Sequence, residues 1–151
     1  MVLLMAGELK RKIFVGSTEK DLRPHRQRIR DIINNFGYFE PLMMKEDFPP
    51  GTTDAITISL NMIDEADIYI GIFARRYGYV QSDPRNPDEL SVSELEYNRA
   101  KERNLIRLCF ILPEEEAWFN DDIHIESNAT SAAKLAAFKT RLGNELITAP
   151  F

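Results

Sequence analysis

Three groups of residues in this 151-residue chain have types and spacing that suit chemistry. The first is Glu96. If Ser91 to about Arg103 is a helix, Val92, Leu95, Glu96 and Ala100 recur at three- and four-residue spacing and share one buried stripe. Glu94 falls on the opposite face, wet, with Ser91-x-x-Glu94 as a capping box. Glu96 is then a carboxylate turned toward the interior, where loss of water should raise its pKa. Two structural roles compete with this: an ion pair with Arg99, three residues on, or an alternative capping box, Ser93-x-x-Glu96. The second group is Ser17-Thr18, whose hydroxyls and backbone N–H groups follow a strand and precede a helix. They could bind a ribose or phosphate, or cap the helix, a role Asp21 could equally fill. The third is Arg75, Arg76, Tyr77 and Tyr79, a set that could hold a phosphate and stack a base. Its structural alternative is a surface loop paired with acidic helices.

The elements that must position these groups alternate. Lys12 to Gly16 predicts a first buried strand. Leu22 to Phe36 predicts a helix, since Leu22, Ile29, Ile33 and Phe36 share one face, with Gly37 ending it. Tyr38 to Met43 is a weaker strand, placed at an edge by Pro41. Phe48-Pro49-Pro50-Gly51 is a loop, and a helix runs from Thr53 or Asp54 to Ala66. Ile68 to Phe73 is almost wholly apolar, as a central parallel strand requires. Ala74 to Leu90 is a loop too long to be a mere connector. After the helix from Ser91 come a strand from Leu105 to Leu112, an acidic loop beginning Pro113-Glu114-Glu115-Glu116, and a helix from Ser131 to Leu146 capped by Thr130 or Ser131. Ile147 to Phe151 starts a possible fifth strand.

This βα alternation implies a parallel sheet with right-handed crossovers. The expected fold is a three-layer, flavodoxin-like α/β/α domain with four or five strands in the order 2-1-3-4-5. Ligands in such sheets sit at the carboxyl ends of the strands, at the switch point between strands 1 and 3. That rule selects Gly16-Ser17-Thr18, the segment Ala74 to Gly78, and the start of the third helix.

Composition bounds the function. The chain carries 19 Lys plus Arg against 24 Asp plus Glu, a net charge of −5 and a pI near 5.1, which disfavours a general nucleic-acid binder. One Cys excludes an intrachain disulfide and a Cys-based zinc site, and suits a reducing cytoplasm. Cys109 is expected to pack rather than react. His25 and His124 lack metal-ligand spacing, so no metal is expected. His25 is assigned a structural place, and Arg23, Arg26 and Arg30 a solvated or partner-paired row. No membrane span is expected, and the apolar start Met1 to Gly7 lacks the features of a targeting segment. The Asn128-Ala129-Thr130 triplet is a chance match to a glycosylation signal. No Walker lysine, G-x-G-x-x-G or G-x-S-x-G pattern is present.

The run Ile13-Phe14-Val15-Gly16-Ser17-Thr18-Glu19-Lys20-Asp21-Leu22 resembles the VFISSTxxDL opening of a TIR-like domain of unknown function, found at the front of NACHT, STAND and repeat-bearing proteins. The resemblance continues through Phe36-Gly37-Tyr38, Asp64 to Ile72, Arg76-Tyr77-Gly78 and Ser93-Glu94-Leu95-Glu96-Tyr97 with Ala100. It divides the chain into an extension, 1–11, and one TIR-like domain, 12–151, excised from a larger protein. Such a domain is related to TIR domains and nucleoside deoxyribosyltransferases. In both, a Glu four residues before a small helix residue serves the reaction at a glycosidic carbon, which carries that role to Glu96. Two positions depart: Gly16 stands where the family often has Ser, and Asn98 where the deoxyribosyltransferases have Gly. The resemblance implies cleavage of the nicotinamide–ribose bond of NAD or of a related nucleotide. NAD is then substrate rather than cofactor, and Gly16, Ser17, Thr18, Arg76, Tyr77 and Ser93 are substrate-binding. It further implies assembly with other copies, within an anti-phage, immune-type sensor. Two other functions stay open: a non-catalytic signalling or oligomerisation module, and a domain that binds a nucleotide signal.

Overall fold

A computed structural model describes residues 9–44, 54–112 and 128–151. The loop Phe48 to Gly51, Thr53, the acidic run Glu114 to Glu116, His124 and the start Met1 to Gly7 lie outside the described residues. The elements are β1 (Arg11–Ser17), α1 (Arg23–Asn35), β2 (Phe39–Leu42), α2 (Ala55–Glu65), β3 (Ile68–Phe73), α3 (Val92–Glu102), β4 (Ile106–Ile111) and α4 (Ala129–Glu145). All strand pairs are parallel and the sheet order is β2-β1-β3-β4, the flavodoxin-like arrangement. β2 is an edge strand, as Pro41 requires. The expected fifth strand is reduced to one parallel bridge, Phe110 with Ala149. Among the described residues, no helix is long and apolar enough to cross a membrane.

Strand alternation divides the core. Ile13 and Val15 of β1 and Ile72 of β3 join Leu22 and Ile33 in a cluster on the α1 face. Phe14 of β1 and Tyr69 and Phe73 of β3 join Ile63, Tyr97, Ala100, Phe138 and Leu142 in a cluster with α2, α3 and α4. Gly16, two residues after Phe14, therefore lies on the face that carries α3.

The helix ends correct two expectations. Asn128, not Thr130 or Ser131, caps α4: its side chain accepts from Thr130 N at 2.9 Å and Ser131 N at 3.1 Å. α1 has no side-chain cap, its N-cap being Leu22 with Pro at the first turn. Asp21 instead accepts from the Thr18 hydroxyl and, at 3.3 Å, from Arg75 N, joining the ends of β1 and β3. Gly37 does close α1, at φ +69°. His25 sits edge-on to Phe151 with ring centroids 5.4 Å apart. Cys109 is buried, which pushes its thiol up to about 12, an inert setting.

Ile63 anchors α2 in the α3-side core with no solvent exposure. Ile63→Ala should lower unfolding free energy by about 2–5 kcal/mol in urea titrations; a loss below about 1 kcal/mol would show that α2 is not fixed there.

Candidate active site

A crevice of about 450 Å³ opens where β1 and β3 end, and Ser17, Thr18, Arg26, Arg76, Ser93 and Glu96 line it. This is the switch point of the sheet, where crossovers to either side leave a cleft. Of the residues expected to bind substrate, Ser17, Thr18, Arg76 and Ser93 are brought together with Glu96. Gly16 lies just behind them, since a Cβ there would come 2.9 Å from Glu96 Oε2.

Tyr77 is not brought in. It is buried, and its phenol donates to Glu94 Oε2 at 2.5 Å. Burial first, then this hydrogen bond, pushes the phenol up to about 12. The aromatic in the crevice wall is Tyr79, which is two-thirds exposed. Gly78 between them has φ +100°, a turn that glycine makes without strain, and even its missing Cβ would stand 3.0 Å from Thr18 Cγ2.

Ser91 is the N-cap of α3, and its hydroxyl accepts from Glu94 N at 3.2 Å. The Ser93–Glu96 capping alternative is thereby removed. Glu94, expected to be wet, is buried. Beyond Tyr77, its Oε1 accepts from Arg141 of α4 at 2.9 Å, and Arg141 also donates to Asn98 at 2.8 Å. α4 covers the face of α3 that spacing alone assigns to solvent.

Glu96 does face inward, at 4% exposure. Arg99 does not pair with it; that guanidinium grips Asp64 at 2.7 and 2.8 Å and Glu102 at 2.9 Å. Glu96 Oε1 accepts from the Ser59 hydroxyl of α2. Oε2 has no hydrogen-bond partner among the described residues. Burial raises the carboxyl to about 7, against the Ser59 hydrogen bond and the charge of Arg26, which both lower it.

Two site residues escape the sequence reading. Arg26 belongs to the row assigned to solvent or a partner, yet it is 2% exposed. It donates to the Ser17 hydroxyl and carbonyl at 2.8 and 3.3 Å and to Met44 O at 2.8 Å. Its signal is present in the sequence: Arg26 follows Leu22 by four residues and precedes Ile29 by three, inside the apolar stripe. Ser59 likewise sits between Ile56 and Ile63 on the inward stripe of α2. The other members of the arginine row are ordinary surface groups, Arg23 pairing with Glu19 and Arg30 donating to Gln27 at 3.5 Å. Among the described residues no group of three His, Cys, Asp or Glu could hold a metal ion.

Residues 12–151 match the family model described as a domain of unknown function, DUF4062. No curated protein matches the chain. Among solved structures, the chain is similar to the TIR domains of the activated Roq1 resistosome directly recognizing the pathogen effector XopQ. That likeness has 13% identity and a TM-score of 0.48, over 91% of this chain and 73% of that one. It is also similar to the Clostridium botulinum CMP N-glycosidase BcmB, at 14% identity and a TM-score of 0.42, over 86% of this chain and 99% of that one.

The raised carboxyl makes stability depend on pH. Between 4.5 and about 7 the folded chain holds the Glu96 proton more tightly than the unfolded chain does. This group's contribution therefore falls as pH rises through that window. Urea midpoints of Glu96→Gln relative to the parent should climb with pH across it. A difference that stays constant would place the carboxyl at its ordinary value.

Proposed function

The chain belongs to the DUF4062 family, and we propose that this member hydrolyses the N-glycosidic bond of NAD or a related nucleotide. The observation that carries this is the Glu96 carboxylate: out of water, unpaired with any arginine of its own helix, one oxygen unmet, and forming part of a crevice at the strand ends. Such a group suits a reaction whose transition state is an oxocarbenium-like sugar. A fixed negative charge in a desolvated site stabilises developing positive charge far better than water does.

In this mechanism a ribose hydroxyl donates a hydrogen bond to the Glu96 carboxylate, which lies against the sugar as the C1′–N bond breaks. The pyridinium leaves as neutral nicotinamide, so no acid is needed at the leaving group. Water adds to C1′, and its proton passes to Glu96 or to solvent. A carboxyl titrating near 7 is suited to receive it. Arg76, Ser17, Thr18 and Ser93 hold the remainder of the nucleotide, with Tyr79 offering a face for a base. The domain would work in the cytoplasm as the effector part of a larger immune-type sensor, with several copies assembled.

The tie between Glu96 Oε1 and Ser59 favours a second reading, a signalling or oligomerisation module without turnover. One experiment separates them. The domain, clustered on a vesicle surface through an affinity tag, is incubated with NAD, and nicotinamide release is followed. Turnover should fall about 100-fold or more in Glu96→Ala. In the parent it should rise with pH as the carboxyl ionises around 7. Equal background release from both proteins would leave the module.

A further inference from the structure

Two buried oxygens on the α3 face of the sheet have no hydrogen-bond partner among the described residues: the Tyr69 hydroxyl and Glu96 Oε2. They converge on one place. A Cβ built on Gly16 would stand 2.9 Å from Glu96 Oε2 and 3.0 Å from the Tyr69 hydroxyl. Gly16 and Tyr69 lie on adjacent strands, where Phe14 pairs in register with Tyr69 and Gly16 with Gly71. Tyr69 has no solvent exposure. Burial first, then the neighbouring Cys109 and Glu96, hold its phenol well above the ordinary tyrosine range, so it keeps its proton and acts as a donor. A buried donor without an acceptor and a buried acceptor without a donor each carry a desolvation cost. In this structure the two are not hydrogen-bonded to each other, but each is the group that the other lacks.

We propose that Tyr69 is a positioning residue for Glu96, its hydroxyl turning to donate to Oε2 when the carboxylate ionises, across the space that Gly16 leaves open. The use of this contact in turnover rests on the proposed role of Glu96; the contact itself does not. With Ser59 already on Oε1 and Tyr69 turned to Oε2, the ionised carboxylate would be held from both α2 and β3. Each carboxylate oxygen can accept a second hydrogen bond, so a sugar hydroxyl can still be taken. Any side chain at position 16 would press on both oxygens, which gives the glycine a function. Among the described residues, the charged and titratable groups set against Glu96 are Arg26 from α1 and Tyr69 from β3, with the neutral Ser59 from α2, while Glu19, Lys20 and Arg76 line the same crevice.

The test is a pH titration of the Glu96 side-chain carboxyl by carbon-13 NMR, assigned by its loss in Glu96→Gln. In Tyr69→Phe the midpoint should move upward by about one pH unit, because a donor to the charged form is lost. Tyr97→Phe is the control for general loosening of the core, since the Tyr97 hydroxyl donates to Glu145 at 2.7 Å, and it should leave the midpoint in place. Should Tyr69→Phe not fold, 3-fluorotyrosine introduced at position 69 provides a stronger donor and should lower the midpoint. The proposal is overturned by an unmoved or lowered midpoint in Tyr69→Phe, by an equal rise in Tyr97→Phe, or by an unmoved or raised midpoint with fluorotyrosine. A domain that releases no nicotinamide would sink the activity but leave this titration to stand or fall alone.

Discussion

The structure around the crevice depends on keeping one carboxylate out of water. Glu96 is held beneath the ends of β1 and β3 at 4% exposure, and its charge is opposed by burial. Two groups offset that opposition: the Ser59 hydroxyl on α2 and the guanidinium of Arg26 on α1. Helices from both faces of the sheet therefore converge on a single residue of a third helix. Arg26 also fastens the end of β1 to Met44, just beyond β2, through Ser17 and the Met44 carbonyl. Charge support and strand geometry are thus carried by the same side chain.

One wall of the crevice is the loop between β3 and α3: its start is packed through Ala74 and Tyr77, and its outer part is fixed by polar contacts. Arg85 donates to Asp54 at 2.7 Å, to Thr57 at 2.8 Å and to Asp83, tying the loop to the first turn of α2. Asn86 is buried and closes the loop on itself through Gln81 O, Leu90 O and Leu90 N. Gln81 bonds both Ile56 N and Asp54. Arg76 and Tyr79 enter the crevice from a segment anchored in this way. Most of the Arg85 pairs are solvent-exposed and individually weak, so the loop depends on the network as a whole.

Much of this was legible in the sequence, for a physical reason. Strands buried on both faces are apolar runs, and Ile68 to Phe73 is bounded by that run alone. The inward turn of Glu96 follows from helical spacing against Val92, Leu95 and Ala100. What failed are contacts between elements far apart in the chain. Glu94 is buried because Arg141, 47 residues later, lies over it. Tyr77 points inward because that same Glu94 accepts its phenol. Capping by Asn128 rather than Thr130 or Ser131 is a local choice among three suitable side chains that periodicity cannot rank. Arg26 was the readable miss, since its position in an apolar stripe was visible and its residue type outweighed it.

The most direct measurement is a crystal structure of the domain with a carbocyclic NAD analogue, whose bond to nicotinamide cannot hydrolyse. The ribose-like ring should lie in the crevice with a hydroxyl within hydrogen-bond distance of Glu96, and the phosphates should lie toward Arg76. A ring bound elsewhere, with Glu96 still closed against Ser59 and no ligand atom touching it, would contradict the central claim.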